Sequence, residues 1–187
     1  MPLATPDLTA FTTASPAVIT YDWTDAATDT GYKTYYCSYT IDSSGARYIL
    51  TPNIVEGAYT GFGSGFQPNF TDFDLTPFPR TVTIRGTAII SGQINDTGTN
   101  GSVTGEIFHY DGTTETSIGA QATSTAHSGD VMFNLTYDIP EKVFAEGDIL
   151  RITLYVTNGA RISIDPSESH PTGIAVTKVT IPYKTSE

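Results

Sequence analysis

At 187 residues the chain has the length of one all-β domain and enough side chains to bury a core without disulfide staples. Lysines and arginines number 9 against 20 aspartates and glutamates, and the formal charge of −11 excludes a general nucleic-acid binder, because gripping phosphates takes a basic face. Cys37 is the one cysteine, which excludes an internal disulfide, and no apolar run reaches membrane-spanning length.

Residues 1–16 are rich in Pro, Thr and Ala, lack sustained periodicity and read as an extended N-terminal arm ahead of a single domain over 17–187. The arm is either a loose terminus or a segment that docks on a neighbouring subunit through Leu3, Leu8 and Phe11. It has neither the basic start nor the apolar core of a signal peptide, so a soluble chain is expected. Val18 to Trp23 predicts a first strand. Asp22, Asp25 and Asp29 follow it; their spacing fits no calcium loop, and the solvated-loop reading is favoured.

Tyr32 to Ile41 alternates, and Asp42-Ser43-Ser44-Gly45 turns the chain into Arg47 to Thr51, which predicts a hairpin. Its tyrosines are either a sugar-stacking face or half-buried core and interface groups. Glu56 to Pro79 is the least regular stretch, with Tyr59, Phe62, Phe66, Phe70, Phe73 and Phe78 interleaved with glycines. A loop this apolar is costly to leave in water, so it is the first candidate for a contact surface.

Strands follow at Thr81 to Ile94, Val103 to Tyr110, Thr116 to Thr123 and Val131 to Ile139, and Ile174 to Tyr183 closes the domain. Between the last two lies the clearest element. Leu150, Ile152, Leu154 and Val156 alternate with polar residues, and a three-residue loop, Thr157-Asn158-Gly159, predicts a hairpin pairing Leu154 with Ile162 and Ile152 with Ile164. The pattern predicts an all-β fold, an antiparallel β-sandwich of jelly-roll type.

Motifs for chemistry are sparse. His109, His127 and His170 lack the spacing of a zinc site, and there is no phosphate loop, nucleophile elbow or Cys/His motif, so no catalytic residue, metal or cofactor is expected. Asp72 and Asp74 share a strand face, whereas a glycosidase needs carboxyls on opposite sides of a sugar. The sequons at Asn69, Asn95, Asn100 and Asn134 read as chance in so threonine-rich a chain.

Several segments taken in order resemble small virion structural proteins of tailed viruses of bacteria and archaea: Gly31 to Tyr36, Tyr48 to Thr51, Asp72 to Leu75, Thr81 to Ala88, Tyr110 to Thr116, Phe144 to Ile152, Ile164 to Pro166 and Ile181 to Lys184. The resemblance implies a jelly-roll capsid decoration or cement protein, made in the host cytoplasm and carried on the capsid exterior, with the major capsid protein as partner. It also implies a trimer and no enzymatic role, while the acidic charge and the lack of a long apolar run leave no nucleic-acid or membrane partner expected. A reading of another class is a carbohydrate-binding or host-recognition module on a tail or head fibre, stacking sugars on Tyr32, Tyr35, Tyr36, Tyr39 or Trp23.

Overall fold

The computed structural model describes residues 30–41, 48–52, 60–63, 71–95, 100–158, 160–164 and 176–184. They form β1 (Thr30–Ile41), β2 (Tyr48–Thr51), β3 (Thr60–Gly63), β4 (Thr71–Leu75), β5 (Val82–Asn95), β6 (Val103–Tyr110), β7 (Glu115–Thr123), β8 (Val131–Phe144), β9 (Ile149–Val156), β10 (Arg161–Ile164) and β11 (Lys178–Lys184). Hydrogen bonds join them in the order β3-β10-β5-β11-β1-β2-β4-β9-β6-β7, with β8 on the other edge of β5. β7, at one end of this order, and β8, which branches from β5, meet where the Tyr137 ring packs on Gly119. The sheet thus curls around one core as an all-β sandwich of jelly-roll type. One pair departs from the antiparallel expectation: β2 and β4 run parallel.

Alternation decides what lies inside. Ile84, Ala88, Ile90 and Ile94 of β5 face Leu150, Ile152, Leu154 and Val156 of β9 across an apolar interior that also takes Phe133, Leu135, Tyr137 and Ile139 of β8. In β8 the inward set is interrupted once. Gly86 opposes Ile139 but Ile84 opposes Lys142, so Pro140 and Glu141 are accommodated against a single β5 residue in a bulge. Proline has no amide to donate, and a bulge is where a strand tolerates it. Gly86 has φ of 116° there, a conformation that a side chain would strain.

The hairpin predicted at Thr157-Asn158-Gly159 does not form. β9 pairs with β4 and β6, while β10 crosses to β3 and β5, with Ile162 opposite Phe62 and Ile94. The apolar sides of β9 and β10 are both in the core, as expected. Antiparallel partners on one sheet are a different solution to that constraint from strands on facing sheets, and the pattern of alternation is the same for both. Ser102 fixes the crossover by accepting the Thr157 amide and placing its hydroxyl 3.0 Å from that of Thr157.

The stretch expected to be an irregular contact loop, Glu56 to Pro79, contains β3 and β4. Phe73 is fully buried beside Tyr48, their ring centroids 5.6 Å apart. Phe78 stacks edge-on against Phe144 at 5.3 Å and Tyr183 at 6.2 Å. Its amide donates to the Asp148 carbonyl and its carbonyl accepts from Gly147, both at 2.9 Å. These two rings are therefore core groups and unavailable as contact-surface residues. The β1–β2 hairpin is observed as expected, with Cys37 opposite Leu50.

Candidate functional site

The two outward faces of the sandwich differ in character. Along β4, β9, β6 and β7 the ladders align Asp74 with Arg151 and Phe108, and Asp72 with Thr153 and Glu106. Arg151 is only 1% exposed despite lying on the side opposite the apolar core. Its Nε and Nη2 donate to the two oxygens of Asp74 at 2.6 and 2.9 Å, and Nη1 donates to Glu115 at 2.9 Å. The guanidinium lies 4.3 Å from the centre of the Tyr110 ring. A planar cation held by a side-on carboxylate pair, a second carboxylate and an aromatic face has a single geometry available, so the cluster locks β4, β9, β6 and β7 in register.

The other outward face is open. Alternation sends Tyr32, Thr34 and Tyr36 of β1 away from the core, and the ladders extend that face over three more strands. Thr34 opposes Thr180, then Ile89, then Thr136; Tyr36 opposes Lys178, then Ser91, then Asn134. Thr34 and Thr180 place their hydroxyls 3.1 Å apart. Tyr32 is 61% exposed, Met132 and Val143 53% each and Ile89 38%; these are the exposed large hydrophobic side chains among the described residues, and all lie on this face. Among the described residues its charges are Arg85, Lys178 and Lys184 against Asp138 and Glu141, close to balance in a chain of net −11. Arg85 and Lys184 both reach Glu141, at 3.6 and 3.4 Å.

A third cluster closes one end of the core. The His109 Nε2–H donates to the Asp148 carboxylate at 2.6 Å, and the ring packs edge-on against Phe144 at 4.6 Å. Asp148 also accepts from the Ala145 amide at 2.7 Å, which closes the turn between β8 and β9. Burial pushes the Asp148 carboxyl up, but the His109 and Ala145 hydrogen bonds outweigh it and hold it below the usual carboxylate range. A carboxyl whose folded pKa is depressed contributes stability above its unfolded pKa and loses it as pH falls through the folded value. The stability gap between wild type and Asp148→Asn, followed by thermal melting, should therefore narrow as pH is lowered from neutrality to below about 4. A gap that stays constant through this range would show that ionisation of Asp148 plays no part.

Of the residues singled out from sequence, Tyr32 and Tyr36 lie together on the open face. Tyr35 points inward and is buried, its hydroxyl 2.8 Å from that of Tyr183, which removes it as a stacking platform. Asp72 and Asp74 do share a face, but Asp74 is committed to Arg151. His109 is a strand histidine, as expected, and Gly101 bridges to His127. Leu3, Leu8, Phe11, Trp23, Tyr59, Phe66, Phe70 and His170, with Asp22, Asp25 and Asp29, lie outside the described residues, as do the side chains of Tyr39 and Phe62. Among the described residues no group of His, Cys, Asp and Glu is arranged to hold a metal ion. Sequence reasoning missed Arg151, whose signal was a lone charge in the strand Ile149–Val156, and it missed Lys178, Ser91 and Asn134, which only the ladder register sets beside Tyr36.

No family model and no curated protein sequence matches the chain. Solved structures do. A CocE/NonD family hydrolase from Staphylococcus aureus superposes with a TM-score of 0.59 at 10% identity, covering 83% of this chain and 36% of its own. An aminopeptidase from a marine-sediment Thaumarchaeota archaeon gives 0.60 at 6% identity, over 83% of this chain and 37% of its own. A family 4 carbohydrate-binding module aligns over 67% of this chain and 93% of its own at 11% identity, with a TM-score of 0.34. The hydrolase likenesses establish a shared fold, and the chain spans little more than a third of the length of either enzyme. They correct one expectation. The absence of an enzymatic role was inferred from the sparse motifs and the virion resemblance, whereas these two solved chains that share the fold are a CocE/NonD family hydrolase and an aminopeptidase.

Proposed function

We propose that this chain is a carbohydrate-recognition β-sandwich module, of a fold also carried within hydrolase chains, and that its binding face is the outward side of β1, β11, β5 and β8. The observation that carries the reading is the placement of Tyr32 and Tyr36 on one solvent-facing side of β1, four residues and about 13 Å apart along the strand. A tyrosine ring offers an apolar surface to the C–H faces of a pyranose and a hydroxyl to its rim. Thr34, Thr180, Ser91 and Asn134 supply hydroxyl and amide groups alongside, where sugar hydroxyls need partners. The near-balanced charge of this face suits an uncharged glycan, and such a module would hold polymer for a separate catalytic domain.

The capsid-decoration expectation draws on a contact surface in which Phe73 and Phe78 are core residues, so it lacks the support that the tyrosine face gives to sugar recognition. Affinity electrophoresis through gels containing neutral polysaccharides tests the proposal. Tyr32→Ala and Tyr36→Ala should each weaken retardation about tenfold, roughly 1–2 kcal/mol, the cost of removing a central aromatic anchor. Both side chains point away from the core, so the urea midpoint should hold. Glu106→Gln, on the opposite face, should be retarded as much as wild type when each is referred to its own mobility in a polysaccharide-free gel. Retardation unaffected by both tyrosine substitutions would sink the proposed face.

A further inference from the structure

We infer that the ligand of the open face is the packed surface of an insoluble polysaccharide rather than a single dissolved chain, an inference that rests on the carbohydrate reading above. The first argument is exposure. Sites for single small ligands are concave, because walls are needed to surround the ligand. Here Tyr32, Met132 and Val143 each stand more than half exposed on the outward side of the sheet, with no wall around them, as suits a broad partner.

The second argument is the spread of the apolar groups. Tyr32 on β1, Ile89 on β5 and Met132 on β8 span four adjacent strands, about 14 Å across. Val143 and Met132 lie at opposite ends of β8, about 35 Å apart along the strand. One sugar chain running past Tyr32 and Tyr36 would leave Met132 and Val143 in water. A layer of chains would cover all four exposed side chains.

Charge supplies the third argument. Arg85 and Lys184 are spent on Glu141, and the Thr87 hydroxyl donates to Asp138 at 3.1 Å, so this face has little net charge to desolvate. Among the described residues, Asp72, Asp74, Glu106 and Glu115 lie on the opposite side. A neutral solid can meet the open face without uncovering an unpaired field, while the rest of the molecule remains hydrated.

Depletion of the full chain from solution by microcrystalline cellulose and by chitin powder, set beside gel retardation by hydroxyethylcellulose and glycol chitin, tests the inference. Wild type should partition onto at least one solid. Met132→Asp and Val143→Asp, which leave both tyrosines intact, should each lower that partition at least threefold, with unchanged urea midpoints, and Glu106→Gln should behave as wild type. Retardation by a soluble polymer together with solid-phase binding indifferent to both aspartate variants would overturn the packed-surface inference and leave the tyrosine face standing. Wild type bound by neither the solids nor the soluble polymers would overturn both.

Discussion

Replacing Arg151 with methionine is expected to lower the free energy of unfolding by about 3–5 kcal/mol, a large share of the roughly 5–15 kcal/mol that a domain of this size commands. The loss comes less from the attraction removed than from the carboxylate left behind. Asp74 has a side chain only 11% exposed and is held by two donors from Arg151. Without them a buried carboxylate must either remain charged in a poor solvent or take up a proton. The penalty should therefore be larger at pH 7 than at pH 4, where protonating Asp74 costs less. Arg151→Met/Asp74→Leu, which removes both charges, should recover most of the loss. Urea unfolding of the single and double variants at both pH values measures this. A double variant as unstable as the single one would mean that Arg151 acts through packing and not through its charge.

Phe73→Ala should destabilise by a similar amount, about 3–5 kcal/mol, the usual cost of emptying a large core site. Phe73 is fully buried, in register with Ile152 of β9 and Tyr48 of β2. Truncation would remove ring contacts from both neighbouring strands at the point where the parallel pair meets the antiparallel ladder. The variant separates two roles that composition alone leaves mixed. A core aromatic changes the urea midpoint in the isolated protein, whereas a contact-surface aromatic leaves that midpoint alone and changes association. A silent Phe73→Ala would restore the contact-surface expectation for this residue.

Period-two alternation settled a great deal before any coordinates. It identified the strands from β5 to β9 and placed Ile84, Ala88, Ile90, Leu150, Ile152, Leu154 and Val156 inward, because a half-buried strand has only one way to hide its apolar side chains. The β1–β2 hairpin was legible because Asp42-Ser43-Ser44-Gly45 separates two alternating runs within a short span. It failed at β10, since an apolar strand satisfies the same pattern whether it returns beside its predecessor or crosses to the facing sheet. It also failed at β4, a five-residue strand buried on both sides, where Phe73 among glycines and aromatics reads as loop.

What the sequence determined by itself is therefore the fold class, the inward faces of the long strands and the acidic character of the whole. Each depends on residue type and near-neighbour spacing. The tertiary structure alone decided which strands are neighbours, and with that both outward faces. Asp74 and Arg151 are 77 positions apart, and the row from Tyr36 through Lys178 and Ser91 to Asn134 draws on four strands from across the chain. Such sets come together through ladder register, which is fixed by the packing of the core on the other side of each strand and leaves no mark in local spacing.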